Sequence, residues 1–276
     1  MDAKDERAAL EFALQGLPLG GVRYFERVGS TMDEAAAWLK EGAPNFALVV
    51  AEEQFAGRGR LGRRWFTAPK ASLAFSLILR EFESPRPALL TGLAALAVCE
   101  ALESRYGLHP QIKWPNDILL QGRKVCGILT EARWQGERPV DVVIGIGVNL
   151  THPAVPPAAT LHFPATSLQE HLPHLGEEEI ERDRFPLLAL ILARVLLWLP
   201  RVQEEALIQN WEQRLAYRHQ SIQVLGALED PDSLLGEGTL EGLTPEGNLL
   251  LRLVSGETQA VDFGEIRVRP SMNGGV

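Results

Sequence analysis

Apolar residues along the chain follow two periods. Runs rich in Val, Ile and Phe at 46–51, 73–79, 111–114, 118–120, 125–129 and 140–150 are separated by short Gly or Pro punctuation. This pattern predicts strands joined by hairpins, with Gln121-Gly122 as a tight turn between two of them. Helical spacing is clearest over 33–40, 88–106, 187–199 and 202–217. Thr31, with Glu34 three residues on, predicts a capping-box start for the first helix, and Ser167 with Glu170 predicts another. Strands and helices cluster without strict alternation, which favours α+β over a doubly wound parallel sheet.

Residues 152–186 are the least regular, with six prolines and four of the six histidines. They read as a surface connection with one short helix near Ser167. His171 and His174 have the spacing of a helical metal pair, but Pro173 lies between them and no Cys is near. A solvated loop is the reading, with no metal site. Beyond about Arg218 the pattern changes to short β-like runs at 221–225, 238–243, 248–254, 257–261 and 265–268, with Gly-containing turns at 244–248 and 255–257. Five short strands without a long helix predict a small barrel, so the expected domains are 1–217 and 218–276.

Composition narrows the class. In 276 residues there are 27 Lys plus Arg against 36 Asp plus Glu, a net charge of −9, and 46% are hydrophobic. That apolar content excludes dominant disorder, and the acidic balance argues against a generic nucleic-acid coat. The first dozen residues carry acids and bases where a secretory signal needs an apolar run. The most lipid-like stretch, 187–199, is fenced by Pro186 and Pro200 and contains Arg194. As a helix it rises about 20 Å, short of the roughly 30 Å hydrocarbon core, so it reads as a core helix with no membrane role. Cys99 and Cys126 are isolated thiols, which fits a reducing, cytoplasmic compartment better than a disulfide.

Four segments carry chemistry. Residues 57–65 hold four arginines and three glycines with no acid. Glycine permits close backbone approach, and the arginine fork suits phosphate and carboxylate. A mobile anion-binding loop, a solvated basic turn and a nucleic-acid arm all remain open for this segment alone. Trp65 could stack on an adenine or sit in the core. Lys113-Trp114-Pro115-Asn116-Asp117 should turn the chain and present an amide and a carboxylate at a strand end, or form a plain turn. Lys124 opens a buried-looking strand, as a snorkelling edge lysine or a ligand contact. Gly127 within that strand suggests a bulge or a ligand passing close to the backbone, and Gly145 and Gly147 in a later strand suggest close ligand approach or relief of crowding.

With Gly29-Ser30-Thr31 ahead of them, these segments resemble the biotin–protein ligase family over nearly the whole chain. The matching motifs are GST (29–31), EEQFAGRGRLGRRW (52–65), KWPNDILL (113–120), GRKVCGILTE (122–131), GIGVN (145–149) and FGEIRVRP (263–270). The resemblance implies a mixed-sheet catalytic domain with helices packed on it, followed by an SH3-like β-barrel. It implies activation of biotin by ATP and Mg²⁺ to biotinyl-5′-AMP, then transfer to a lysine of a biotin carboxyl carrier protein. By position, Ser30, Thr31 and Gln54 should bind the ureido head of biotin. Arg58 and Arg60, with Gly57 and Gly59 in their loop, should meet the carboxyl and phosphate region. Lys124 should point at the biotin carboxylate and α-phosphate, and Trp65 should stack on adenine. Asn116 and Asn149 should line the nucleotide side, with Gly127 and Gly147 beside the ligand. Asp117 should orient the metal or the incoming lysine. Lys124, Arg58 and Asp117 are thus the expected catalytic residues.

One position departs from the family pattern: Met32 stands where Asn is frequent, removing an amide from the biotin side. Only about 28 residues precede Gly29, so ligase activity without specific DNA binding is the expectation. An edge-to-edge homodimer also follows from the resemblance. The alternatives are a lipoate or octanoate–protein ligase, separable by competition between acids, and a biotin-binding module without turnover.

Overall fold

Alternation of side chains across one sheet explains most of the chain. The computed structural model describes residues 3–80, 87–136, 138–161, 163–226, 234–262 and 266–271; residues 263–265, within the last motif, lie outside them. The elements up to the first sheet's end are α1 (Ala3–Ala13), β1 (Gly21–Val28), α2 (Thr31–Lys40), β2 (Ala47–Gln54), β3 (Ser72–Arg80), α3 (Pro87–Tyr106), β4 (Gln111–Lys113), β5 (Asp117–Leu120), β6 (Arg123–Gln135) and β7 (Arg138–Asn149). The strands form a seven-stranded sheet in the order β1-β2-β3-β7-β6-β5-β4. Only β1 and β2 are parallel, so the sheet is mixed. The turn at Gln121 and Gly122 has φ of 49° and 75°, the double left-handed pattern of a tight hairpin.

Each central strand sends alternate residues to opposite faces. Leu48 and Val50 of β2, with Val142, Ile144, Ile146 and Val148 of β7, face the main core under α3 and α5 (Arg184–Trp198). Ala47, Val49, Ile78 and Val143 face the other way, against Met32 and Ala35 of α2. α5 starts three residues before the predicted stretch and buries Leu187, Leu188, Ile191, Leu192 and Val195. No described helix is long and apolar enough to cross a membrane.

Several boundaries differ from the sequence expectation. Ser30, not Thr31, caps α2: its Oγ accepts from the Met32 N–H at 3.3 Å. Ser167 makes no side-chain cap, and a short 3-10 turn, Leu168–His171, follows it. His171 Nε2 lies 3.0 Å from the Thr166 hydroxyl. The helix expected over 202–217 contracts to α6 (Glu205–Gln213), and α4 (Glu177–Arg182) precedes α5. α1 and β1 carry no strong apolar period and emerge only in the structure. α1 is fastened by buried Glu6, which pairs with Arg184; Arg184 also reaches Glu52 Oε1 at 3.1 Å. Paired in this way, the buried charges avoid the cost of isolation.

The second sheet comprises β8 (Ser221–Gly226), β9 (Leu234–Leu243), β10 (Leu249–Leu253), β11 (Thr258–Val261) and β12 (Ile266–Pro270), all antiparallel in the order β11-β10-β9-β8-β12. Its inward residues Leu240, Leu249 and Leu251 join the same hydrophobic cluster as α3 and α5. Trp211 of α6 is the plug between them. It is fully buried, and a Cβ on Gly92 of α3 would stand 2.0 Å from its ring. Gly247, in the β9–β10 turn, lies against the same indole. The Gly247 carbonyl also accepts from Trp114 Nε1 at 2.9 Å, tying the second sheet to the segment before β5.

Candidate active site

One row of the first sheet organises the site. Strand register places Ala51, Ala74, Gly147, Gly127, Asp117 and Lys113 side by side across β2, β3, β7, β6, β5 and β4. Residues in one such row share a face. The next row carries Ser76, Gly145 and Leu129. Small residues at the middle of the sheet leave a trough, with an acid and a base at one end of it.

The arginine-rich loop lies over that trough. Trp65 N–H donates to Gly57 O at 2.9 Å and Gly59 N–H to Arg63 O at 2.8 Å, so the loop folds back on itself. A Cβ on Gly57 would meet Trp65 O at 2.4 Å, which requires glycine at this close approach. The trough is not empty: Trp65 covers Gly127 and Gly147, where added Cβ atoms would stand 2.9 Å and 2.4 Å from the indole. Met32 Sδ occupies the same relation to Gly145, at 2.6 Å. The three glycines therefore accommodate side chains of this chain in the structure. The indole Nε1 is buried and has no hydrogen-bond partner among the described residues.

Each remaining expected residue has a definite place. The Thr31 amide and hydroxyl both donate to Gln54 Oε1, at 2.8 and 3.1 Å, and Gln54 Nε2 donates to Thr67 Oγ1 at 3.0 Å. Ser76 Oγ donates to Thr31 Oγ1 at 2.8 Å. Thr67 and Ser76 complete this buried polar cluster and were not singled out from sequence, although Ser76 is a hydroxyl inside an otherwise apolar strand. Arg58 turns to the rim, pairing with Asp33 at 2.9 Å and with Glu131. Arg60 Nη1 donates to Asn116 Oδ1 at 3.1 Å, and Asn116 Nδ2 donates to Ile128 O at 2.8 Å. Asn149 Nδ2 donates to Thr166 O at 2.9 Å. Lys124 Nζ pairs with Asp117 Oδ1 at 2.6 Å.

Two cavities adjoin here. The smaller, about 50 Å³, is bounded by the Thr31–Gln54 cluster, Met32 and the glycines. The larger, about 390 Å³, is walled by the loop, β4 and β5, and by Pro156, Leu161, Phe163 and Ala165, with Val268 and Arg269 of the second sheet. The segment read as a surface connection is thus a wall, clipped on by Lys124 N–H to Pro164 O and Thr166 N–H to Lys124 O. Gly59, Arg60, Trp65, Asn116 and Lys124 line both cavities. Cations dominate the larger one: Arg60, Arg63, Arg64, Lys113, Lys124 and Arg269 against Asp117. Burial alone would raise the Asp117 carboxyl, but Lys124, Lys113 and Arg60 outweigh it and hold the group below the usual range.

Burial acts on Lys113 in the opposite sense, lowering its ammonium to about 8, and Lys124, Arg63 and Arg269 add to this against Asp117. An unfolded lysine keeps its proton to about pH 10.4. Between these values the unfolded chain binds more protons, so stability should rise with pH across that window. Urea midpoints should move upward from pH 8 to pH 10, and Lys113→Met should flatten that part of the slope. An equal slope in the variant would assign the effect elsewhere.

Comparisons with known proteins place the chain in a family. Residues 24–149 match the model of the biotin/lipoate A/B protein ligase family. The biotin–[acetyl-CoA-carboxylase] ligase of Paracoccus denitrificans is 36% identical over 247 residues, covering 87% of this chain and 97% of that protein. The bifunctional ligase/repressor BirA of Bacillus spizizenii is 40% identical over 148 residues, 53% of this chain; the match spans only 46% of that relative's length. Biotin protein ligase from Aquifex aeolicus, solved in complex with biotin and ATP, superposes with a TM-score of 0.75 at 27% identity over 91% of this chain and 99% of that one. The small-residue trough, the arginine loop above it and these matches identify the chain as a member of the biotin–protein ligase family.

Proposed function

We propose that the protein activates biotin with ATP and transfers the biotinyl group to a lysine of a biotin carboxyl carrier protein. The carrying observation is that a small hydrogen-bonding pocket and a larger cationic cavity meet at Lys124, Arg60 and Asn116. An acid seated by Thr31 and Gln54 presents its carboxylate at this junction, where a nucleotide in the larger cavity presents its α-phosphate. Two anions meet there, and fixed cations supply the main stabilisation. A carboxylate oxygen attacks the α-phosphorus and pyrophosphate departs. The acceptor amine then attacks the carbonyl of the mixed anhydride and AMP leaves.

In this reading Trp65 leaves the glycine floor when biotin enters and moves toward the nucleotide side. Asp117, released from Lys124, receives the acceptor lysine. Mg²⁺ arrives with the nucleotide. Among the described residues no group of three His, Cys, Asp or Glu side chains gathers to hold a metal, and the phosphates offer the hard oxygen ligands Mg²⁺ prefers. Beyond Gly127, β6 has β7 on one side only among the described strands. That edge runs past Glu131 at the rim and offers main-chain pairing to the carrier domain. We also take 218–276 as a second domain, an SH3-like barrel, on the support of the separate antiparallel sheet from β8 onward. The buried free thiols of Cys99 and Cys126 support a cytoplasmic location.

The test is a transfer assay with biotin, Mg-ATP and a biotin carrier domain, read by intact mass. One biotinyl group added, dependent on ATP and on the carrier's target lysine, is the expected result. Biotin bound without turnover would leave only a binding module. Preference for lipoate in competition would move the assignment to the family's other acids.

A further inference from the structure

His171 has the spacing of a metal pair with His174, yet the fold gives it a different partner. Its Nε2 stands 3.0 Å from the hydroxyl of Thr166, which is fully buried, while the imidazole itself is only half-buried. Thr166 joins the ends of two neighbouring strands. Its N–H donates to Lys124 O at 2.9 Å, at the start of β6, and its carbonyl accepts from Asn149 Nδ2 at 2.9 Å, at the end of β7. The segment around it is fastened on both sides, by Lys124 N–H to Pro164 O at 2.8 Å and by Gln169 N–H to Leu150 O at 2.9 Å. Arg123 and Glu170, paired with each other, are the charges that bear on the imidazole. Burial, with Arg123 adding to it against Glu170, holds the ring below the usual histidine range, so near pH 7 it is a neutral hydrogen-bonding group. The Thr166 hydroxyl has a second acceptor in Ser167 O, but at 3.5 Å, the limit of a hydrogen bond.

We propose that His171 is a positioning residue for the nucleotide side of the site: it holds the Thr166 hydroxyl and, through Thr166, the Asn149 amide. This rests on the ligase reading above and extends it to a residue outside the cavities. His171 is not among the residues lining either one, whereas Asn149 lines the larger and not the smaller. The bond from Nδ2 to Thr166 O fixes which way the Asn149 amide faces. If the Thr166 peptide tilts, the amide turns with it and the nucleotide wall loses a fixed polar group. Lys124 depends less on this tie, because its main chain is also paired in the sheet, opposite Leu119. Loss of the imidazole therefore falls on the nucleotide and spares the acid.

Steady-state transfer assays on the full chain would compare wild type with His171→Leu, His171→Gln, Thr166→Val and the His171→Leu/Thr166→Val double variant. His171→Leu should raise the KM for Mg-ATP about three- to tenfold, the range for one hydrogen bond, with the KM for biotin and kcat within about twofold. His171→Gln should recover most of the loss, because its amide offers a donor or an acceptor where Nε2 stands. Thr166→Val should reproduce the His171→Leu effect, and the double variant should be little worse than either single one, since one bond is being removed twice. A smaller rise for ATP, an equal rise for biotin, no recovery with glutamine, or additive effects would each overturn the assignment and leave the ligase reading standing. A wild type without transfer would overturn the ligase reading, and this assignment with it. If Thr166→Val does not fold, the contrast between His171→Leu and His171→Gln carries the test.

Discussion

Lys124→Ala should slow formation of the acyl-adenylate by about 10²–10³, the usual cost of removing one charge-stabilising donor. Lys124 lines both the smaller pocket and the larger cavity, as Arg60 does, and is the one of the two paired with Asp117. In the proposed reaction its loss removes one of two cations, the other being Arg60, from the meeting point of two anions and leaves the Asp117 carboxylate without its Lys124 partner, repelling both. The effect should fall on the first half-reaction. Pyrophosphate release from biotin and Mg-ATP should drop by the stated factor, while transfer from preformed biotinyl-5′-AMP should drop less. A loss below tenfold in pyrophosphate release would remove Lys124 from the chemistry. Arginine is not a conservative replacement, since its planar fork needs more room than an ammonium beside Gly127 offers.

Trp211→Ala should cost about 3–5 kcal/mol of stability, the range for truncating a large buried aromatic. The ring fills the space between Gly92 of α3 and Gly247 of the second sheet, so backbone on both sides bounds the cavity left behind and cannot close on it. Its Nε1 has no hydrogen-bond partner among the described residues, so no polar bond is lost and the figure reports packing. Urea unfolding followed by far-UV circular dichroism would measure it. A cost under about 1.5 kcal/mol would mean that the helices collapse onto the gap. Affinity for the proposed nucleotide should fall as well, because the Gly247 turn also holds Trp114, which lines the larger cavity.

The sequence was most legible where burial is two-sided and period decides face. The central strands β2, β3, β6 and β7 carry Leu, Val, Ile or Phe at positions that stay apolar on the core side, and the buried helices α3 and α5 are as plain. β1 was illegible because its middle residues are only half buried and its polar residues break the alternation. α1 was hidden for a related reason: its anchor is a charge, Glu6 paired with Arg184, which apolar spacing does not register. Glycines 127, 145 and 147 suggested a ligand passing close to the backbone, but sequence cannot say what approaches. Here it is Trp65 and Met32. Residues 152–186 read as a surface connection because their prolines lack period, yet main-chain bonds tie Pro164 and Thr166 to Lys124 and bring Phe163 and Ala165 into the cavity wall. The polar cluster was half visible: Thr31 and Gln54 stand in motifs, while Thr67 joins only through the fold of the loop.

The pairing of Arg58 with Asp33 and Glu131 has a consequence for how salt should act on the proposed activity. These pairs are partly exposed, with Arg58 at 38%, Glu131 at 40% and Asp33 at 59% of full side-chain accessibility. Each is worth at most about 1 kcal/mol and is screened as the Debye length shrinks from about 8 Å at physiological ionic strength to about 3 Å at 1 M. Added salt therefore loosens the loop and frees the glycine floor sooner, so biotin should enter faster. The cationic cavity responds in the opposite sense, because screening weakens its attraction for the triphosphate proposed to bind there. Ionic strength thus speeds admission of one substrate and weakens retention of the other, and turnover at limiting ATP should pass through a maximum as salt increases.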